Sequence, residues 1–373
     1  MFLTLIVFIL VLSLLIFVHE FGHFWTARKL GVKVEEFGFG FSPRVIGVYK
    51  SNEGKWKVVH GNKEVTDAVD TIYSLNWLPL GGFCKIKGED GSGESESDSF
   101  GSKPVWRRMA IISAGVIMNV LLAAVFFSIG FMIGSPQGFD SNDKHAIVSE
   151  RKIQILEVAQ ETPAATAELT AGDFILAVDG QSLVDEKDLR AYVNPRAGEE
   201  LIYKIERDGN ILEKKVIPAD HAGKGEIGVS IANIGLVRYP WYLAILKGFM
   251  AAGIMVWIII LAFLGIIKNL IMGNGIGADI AGPVGIANMT GQYARMGISY
   301  LIQFTGLLSV NLAVINFLPL PALDGGRIIF LIIEKVKGSP VRREVEGAIH
   351  SVGFFVLIAL MVLVIVRDVL SLF

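Results

Sequence analysis

Residues 19–23 read His-Glu-Phe-Gly-His. Helical positions four apart share a face, so His19 and His23 point the same way. Two neutral imidazoles at that spacing can hold one Zn²⁺. Glu20, one position on, then stands beside the metal as a general base for hydrolysis. The competing reading is a pair of interfacial histidines with no metal. Against it, residues 2–18 carry no charge, and ionisable groups at the end of a lipid-length helix are costly and by default functional.

Catalytic zinc takes three protein ligands and keeps one position open. The single cysteine, Cys84, excludes a cysteine cage and an internal disulfide. His60 lies in a polar stretch, His145 and His221 flank a polar segment, and His350 opens the last apolar run, so none is a natural third donor. Asp324 is a better one. It sits in "NFLPLPALDGG", where an apolar helix breaks at Pro319 and Pro321 and Gly325-Gly326 follow. An aspartate at such a break can turn toward a metal; it can also act as the N-cap of the next helix. The chemistry expected from His19, His23, Asp324 and Glu20 is peptide-bond hydrolysis, with one zinc per chain.

The elements that position these groups follow from composition. The chain is 373 residues, 52% hydrophobic and 19% charged, with mean hydropathy +0.54. These values fit several membrane spans joined to a polar part. A net charge of −2 gives no basic surface for nucleic acid. Residues 1–33 read as a retained first transmembrane helix, since no positive n-region precedes the apolar run and no small-residue cleavage site follows it. Arg28, Lys29 and Lys33 put its end on the cytoplasmic side. Residues 34–102 read as a membrane-associated β region ending in an acidic, Ser/Gly-rich loop at 89–102. Residues 103–134 form a second span starting at Lys103, Arg107 and Arg108, and 145–235 an external α+β module with Asp-Gly turns at 179–180 and 208–209.

The C-terminal third holds apolar stretches at 243–267, 298–321 and 349–366. Arg327, Lys335, Lys337, Arg342 and Arg343 mark the loop between the last two as cytoplasmic, whereas 269–297 contains one basic residue, Arg295. Residues 298–321 then run inward, which leaves 243–267 without a net crossing. The expected architecture is an α-helical polytopic membrane protein with about four spanning helices. One interfacial or re-entrant helix within 243–297, a β region and an inserted α+β domain complete it, and 298–373 is a C-terminal transmembrane pair.

Seven pieces, in order, carry a resemblance across nearly the whole chain. They are HEFGH (19–23), GFGFSP (38–43), PLGGFCKIKGED (79–90), FGSKPVWRRMAIISAG (100–115), GDFILAVDG (172–180), GPVGIA (282–287) and NFLPLPALDGG (316–326). The chain resembles the site-2 protease family of intramembrane zinc metalloproteases, in the bacterial branch of regulator of sigma-E protease type. The resemblance implies zinc on His19, His23 and Asp324, catalysis by Glu20, and a PDZ domain within 145–235. It also implies asparagines beside the LDG motif, here Asn311 and Asn316, that hold unwound substrate, with Pro319 and Pro321 shaping the break. Implied substrates are single-pass membrane proteins, such as pre-cleaved anti-sigma factors or remnant signal peptides, in the bacterial inner membrane. The chain departs from the family at Val116, where relatives often have proline ahead of the asparagine that is Asn119 here. It also has room for one PDZ domain rather than two.

A transmembrane substrate hides its peptide bonds in helical hydrogen bonds, so cutting requires unwinding and new partners for the freed groups. An exposed edge at Gly38, Phe39 and Gly40 would supply them by strand addition, while an ordinary Gly-punctuated hairpin is the plainer reading. The PDZ-like domain would bind peptide, exclude bulky external domains or act as a spacer. A catalytically silent scaffold with a structural zinc, and a metal transporter, are the rival classes. An intact Glu20 argues against the first and the lack of inverted repeats against the second.

Overall fold

The computed structural model describes residues 2–89, 96–139, 143–207, 209–221, 223–273 and 282–370. Part of the expected acidic loop (90–95), Asp208 of the second Asp-Gly turn, and 274–281 lie outside the described residues. Along the chain come α1 (Phe2–Lys29), β1 (Val34–Lys50), β2 (Trp56–His60), β3 (Ile72–Ile86) and α2 (Val105–Ile133). Next are β4 (Ser135–Gly138), β5 (Ile147–Val158), α3 (Pro163–Thr166), β6 (Phe174–Val178), β7 (Gln181–Ser182) and α4 (Glu186–Val193). The strands β8 (Leu201–Arg207), β9 (Asn210–Val216), β10 (Ala219–His221), β11 (Lys224–Glu226) and β12 (Val229–Arg238) follow. Helices α5 (Trp241–Ile271), α6 (Pro283–Met296), α7 (Ile298–Phe317), α8 (Asp324–Lys337) and α9 (Arg343–Leu370) end it.

Two compact units form, one from 1–128 with 245–373, the other from 129–244. In the first, long apolar runs free of internal proline make α1, α2, α5, α7 and α9 long and apolar enough to cross a membrane. Helices satisfy their own backbone groups, which lipid cannot do. Antiparallel packing of α1 and α2 is fixed by two contacts: His23 meets Ile111, and His19 meets Asn119. At the other end of α1, Gly291 of α6 packs on Thr4. The N-terminus of α6 is capped by Asp368 of α9, which accepts from the Gly282 and Gly285 amides at 3.2 and 2.8 Å. Thus α7 starts at the Thr4 end of α1 and finishes at its histidine end, and α9 returns.

Residues 243–267 are part of one uninterrupted 31-residue helix. A re-entrant path would need a break that this helix lacks, so the re-entrant form of the expectation is corrected. Gly248 lies against Ser128 and Ala124 of α2. Beyond it, large side chains such as Trp257 and Leu264 are exposed, as expected for a surface that faces lipid.

The small sheet has an unusual register. Phe37, Gly38 and Phe39 of β1 pair on one side with Cys84, Phe83 and Gly82, and on the other with Tyr73, Ser74 and Leu75. The long strand β3 therefore embraces β1 with both of its arms. Phe24 and Ala27 of α1, Val34 and Phe37 of β1, Ile111 of α2 and Ile328 of α8 pack into one buried cluster that binds the sheet to three helices. Truncating such a residue typically costs about 2–5 kcal/mol.

The second unit is built on a sheet ordered β4-β12-β5-β6-β8-β9, with β7 on β6. Its core gathers Ile153, Ile155, Ile175, Val178, Tyr203 and Ile205, with Leu189 and Val193 from α4. Asp179 and Gly180 both take positive φ, 49° and 77°, between the paired Val178 and Gln181. This is the turn geometry that Asp-Gly favours.

Candidate metal centre

His19 and His23 sit one turn apart on α1, both buried, with their Nε2 atoms 3.2 Å apart. Asp324 brings Oδ2 to 3.1 Å from His19 Nε2 and 3.5 Å from His23 Nε2. His23 Nδ1 donates to the Ile111 carbonyl at 2.9 Å, because a carbonyl only accepts. The neutral ring therefore presents a lone pair at Nε2. Asp324 Oδ2 is itself buried with no hydrogen-bond donor among the described residues. Electron pairs converging on one point repel unless a cation lies there. On tetrahedral zinc with bonds of 2.0–2.1 Å, ligand atoms stand roughly 3.3–3.4 Å apart. The observed spacings match, and two imidazoles with one carboxylate form a donor set that zinc accepts. The residues present fit the metal.

Asp324 reaches this point because α7 ends where the sequence predicts. Pro319 and Pro321 cannot continue a helix, and Ala322 turns the chain at φ 70°. The Ala322 amide donates to His350 Nδ1 at 2.8 Å, tying the turn to α9. Asp324 is the first residue of α8; the cap position is Leu323, with no side-chain cap bond. The capping alternative is thus replaced by a first-turn position facing the histidines. Gly325 is required next, since a Cβ there would run into the Phe317 and Leu318 carbonyls.

Glu20, His19, Asp324 and Asn316 line one cavity of about 200 Å³ together with Ile16, Leu312, Ala322 and Leu323. The backbone amide of Cys84 on β3 faces the Glu20 carboxylate. Of the two asparagines, Asn316 enters this cavity, whereas Asn311 spends its amide on the Leu307 carbonyl of its own helix at 3.0 Å. Gly38, Phe39 and Gly40 do not form the exposed edge expected of them. Gly38 and Phe39 are paired on both sides, Gly38 and Gly40 are buried, and Asn76 Nδ2 donates to the Gly40 carbonyl at 3.0 Å.

Two contributors carry no signature in isolation. Gly115 of α2 lets the helix backbone approach the imidazoles: a Cβ there would stand 2.5 Å from His23 Nε2 and 2.7 Å from His19 Cε1. Asn119, fully buried one turn on, brings Nδ2 to 3.3 Å from His19 Nδ1. A G-x-x-x-N spacing on a span facing two histidines is the signal that would have found them.

Comparison with known proteins identifies the family. A family model, Peptidase family M50, matches residues 7–60 and 64–360. A relative from Clostridium perfringens, named as a zinc metalloprotease, is 33% identical, covering 97% of each chain. Regulator of sigma-W protease RasP of Bacillus subtilis is 28% identical, covering 99% of each. Regulator of sigma-E protease RseP of Escherichia coli is 29% identical, covering 97% of each. A match over most of the length, running through both halves of the site, has one meaning: the chain belongs to peptidase family M50 and is a zinc-dependent intramembrane protease.

Proposed function

We propose that His19, His23 and Asp324 hold a single zinc ion per chain and that Glu20 is the general base. The observation that carries this reading is the convergence of both Nε2 atoms and Asp324 Oδ2 on one buried point beside Glu20. Zinc, when bound, supplies a Lewis acid for the scissile carbonyl and lowers the pKa of water toward neutrality. The Glu20 carboxylate takes the proton of the attacking water and holds it for the leaving amine. The Cys84 amide steadies that carboxylate. Asn316, in the same cavity, offers its amide to backbone groups freed when the substrate unwinds.

The substrate is an extended segment of a single-pass membrane protein. We place its scissile bond in the cavity that Glu20 and Asn316 line, in place of strand pairing along Gly38–Gly40. RasP and RseP are named as regulators of sigma-W and sigma-E. By analogy, pre-cleaved anti-sigma factors are the favoured substrates and remnant signal peptides the second class. In the second unit, a groove of about 510 Å³ runs between Leu189 and Val193 of α4 and the Ile227–Ile231 segment. A PDZ-like peptide site fits there.

The setting proposed is the bacterial inner membrane, with α1, α2, α7 and α9 crossing and the metal centre near the cytoplasmic side. Gly291 on Thr4 supports an external 283–297, which leaves α5 in the interface with no net crossing. Reconstituted chain should cut a model transmembrane substrate, lose activity to a chelator and regain it with zinc. Cleavage that survives complete zinc removal contradicts the reading.

A further inference from the structure

The His19 ring poses a question that the three ligands leave open. For Nε2 to face a metal, the neutral imidazole must carry its proton on Nδ1. The group facing Nδ1 is the Asn119 side-chain amide, with Nδ2 at 3.3 Å. Two N–H groups cannot satisfy each other. Asn119 Oδ1, meanwhile, is buried with no partner among the described residues. With the amide in this orientation Nδ1 could only accept, the opposite of what a ligand through Nε2 requires.

One rotation supplies the missing acceptor. An amide turned by 180° keeps its shape and exchanges donor for acceptor. Oδ1 then takes the place of Nδ2, accepts from His19 Nδ1–H, and is no longer orphaned. The helix that carries the amide is anchored here, since the Asn119 backbone carbonyl accepts from Ser309 Oγ of α7 at 2.7 Å. His23 has a permanent acceptor in the Ile111 carbonyl, so only His19 depends on a side chain. We propose that Asn119 is the positioning residue of His19: its amide oxygen accepts from His19 Nδ1–H and so fixes the ligand tautomer. The inference rests on His19 being a ligand. It adds α2 to the metal centre and gives Asn119 a role independent of substrate and of the missing proline at Val116.

The test uses full-length chain in detergent, with zinc affinity read by competition against a chelating dye. Asn119→Leu keeps the volume and removes the acceptor; Asn119→Asp keeps an acceptor. The leucine variant should bind zinc about 10- to 100-fold more weakly, with the thermal unfolding of the metal-free chain little changed. The aspartate variant should recover most of the lost affinity. Affinity within twofold of wild type for Asn119→Leu, or equal losses in both variants, overturns the proposal. Should the leucine variant fail to fold, ¹⁵N-histidine spectra of zinc-loaded wild type decide: a hydrogen-bonded proton on His19 Nδ1 is expected, and a proton on Nε2 overturns it. A wild-type chain that binds no zinc would instead contradict the ligand assignment itself.

Discussion

Gly115 and His23 touch across the α1–α2 interface so closely that a single methyl group on the glycine would stand 2.5 Å from the imidazole Nε2. The helix backbone itself is one wall of the metal centre. Gly115→Ala should push the imidazoles out of register. Zinc content of the purified variant should fall at least tenfold and cleavage with it, while α2, being helical already, keeps its secondary structure. Metal analysis beside circular dichroism checks this; full zinc content in a normally folded variant would count against the assigned packing.

Glu20→Gln removes the base without touching a ligand. Cleavage of a reconstituted substrate should drop by about 10²–10⁴, with zinc content unchanged. A variant retaining a tenth or more of the activity would remove Glu20 from the mechanism.

Asn316 and Asn311 separate by environment. Asn316 lines the catalytic cavity, and Asn311 is bonded to its own helix. Asn316→Leu should lower kcat/KM for a transmembrane substrate roughly tenfold or more, the order expected from losing a hydrogen bond to a group left unpaired in a buried site. Asn311→Leu should change it less than threefold. Steady-state cleavage of one substrate by both variants makes the comparison, and equal losses would contradict it.

In the second unit, Asp173 is fully buried against Arg207, at 2.6 and 2.7 Å. Burial alone would raise the carboxyl pKa, but Arg207 and the Thr170 amide together hold it below the ordinary carboxylate range. A depressed folded value means that this stabilisation is present above the unfolded pKa of about 3.9 and is lost as pH falls below it. Protection factors across 143–207, corrected for the intrinsic exchange rate, should fall only below about pH 4. Arg207→Met should destabilise the unit by roughly 3 kcal/mol at neutral pH, because it leaves the buried carboxylate unpaired. Unchanged protection in that variant would contradict the coupling.

Single-cysteine labelling tests the direction of α7. With 283–297 external, a thiol at Arg295→Cys should react with an impermeant reagent added outside intact cells. Protection there, with labelling only after lysis, would reverse the proposed course of α5 and α7.

HEFGH and the LDG turn were legible because ligand chemistry and helix-breaking residues are local properties, and their convergence followed from the charges at the helix ends. The Asp-Gly turn at 179–180 was legible for the same reason. The role of Gly38–Gly40 was not. Which edge of β1 stays open depends on β3 folding back along both sides, and a strand pattern carries no record of its partners. Asn119 was hidden by a similar gap: its meaning comes from the distance between α1 and α2, set by Gly115, rather than from its own neighbours. His350, a poor ligand candidate on sequence grounds, instead anchors the Ala322 turn that delivers Asp324. The continuity of α5 could not be read from an apolar run that suits several courses equally.

The most direct test is X-ray absorption at the zinc edge on the purified full-length chain and on Asp324→Ala. The account predicts one zinc per chain in the wild type, with two imidazole nitrogens and a carboxylate oxygen at about 2.0–2.2 Å, and loss of the oxygen ligand or of the metal in the variant. A wild type without zinc, a shell lacking two imidazoles, or a spectrum unaltered by Asp324→Ala would contradict it.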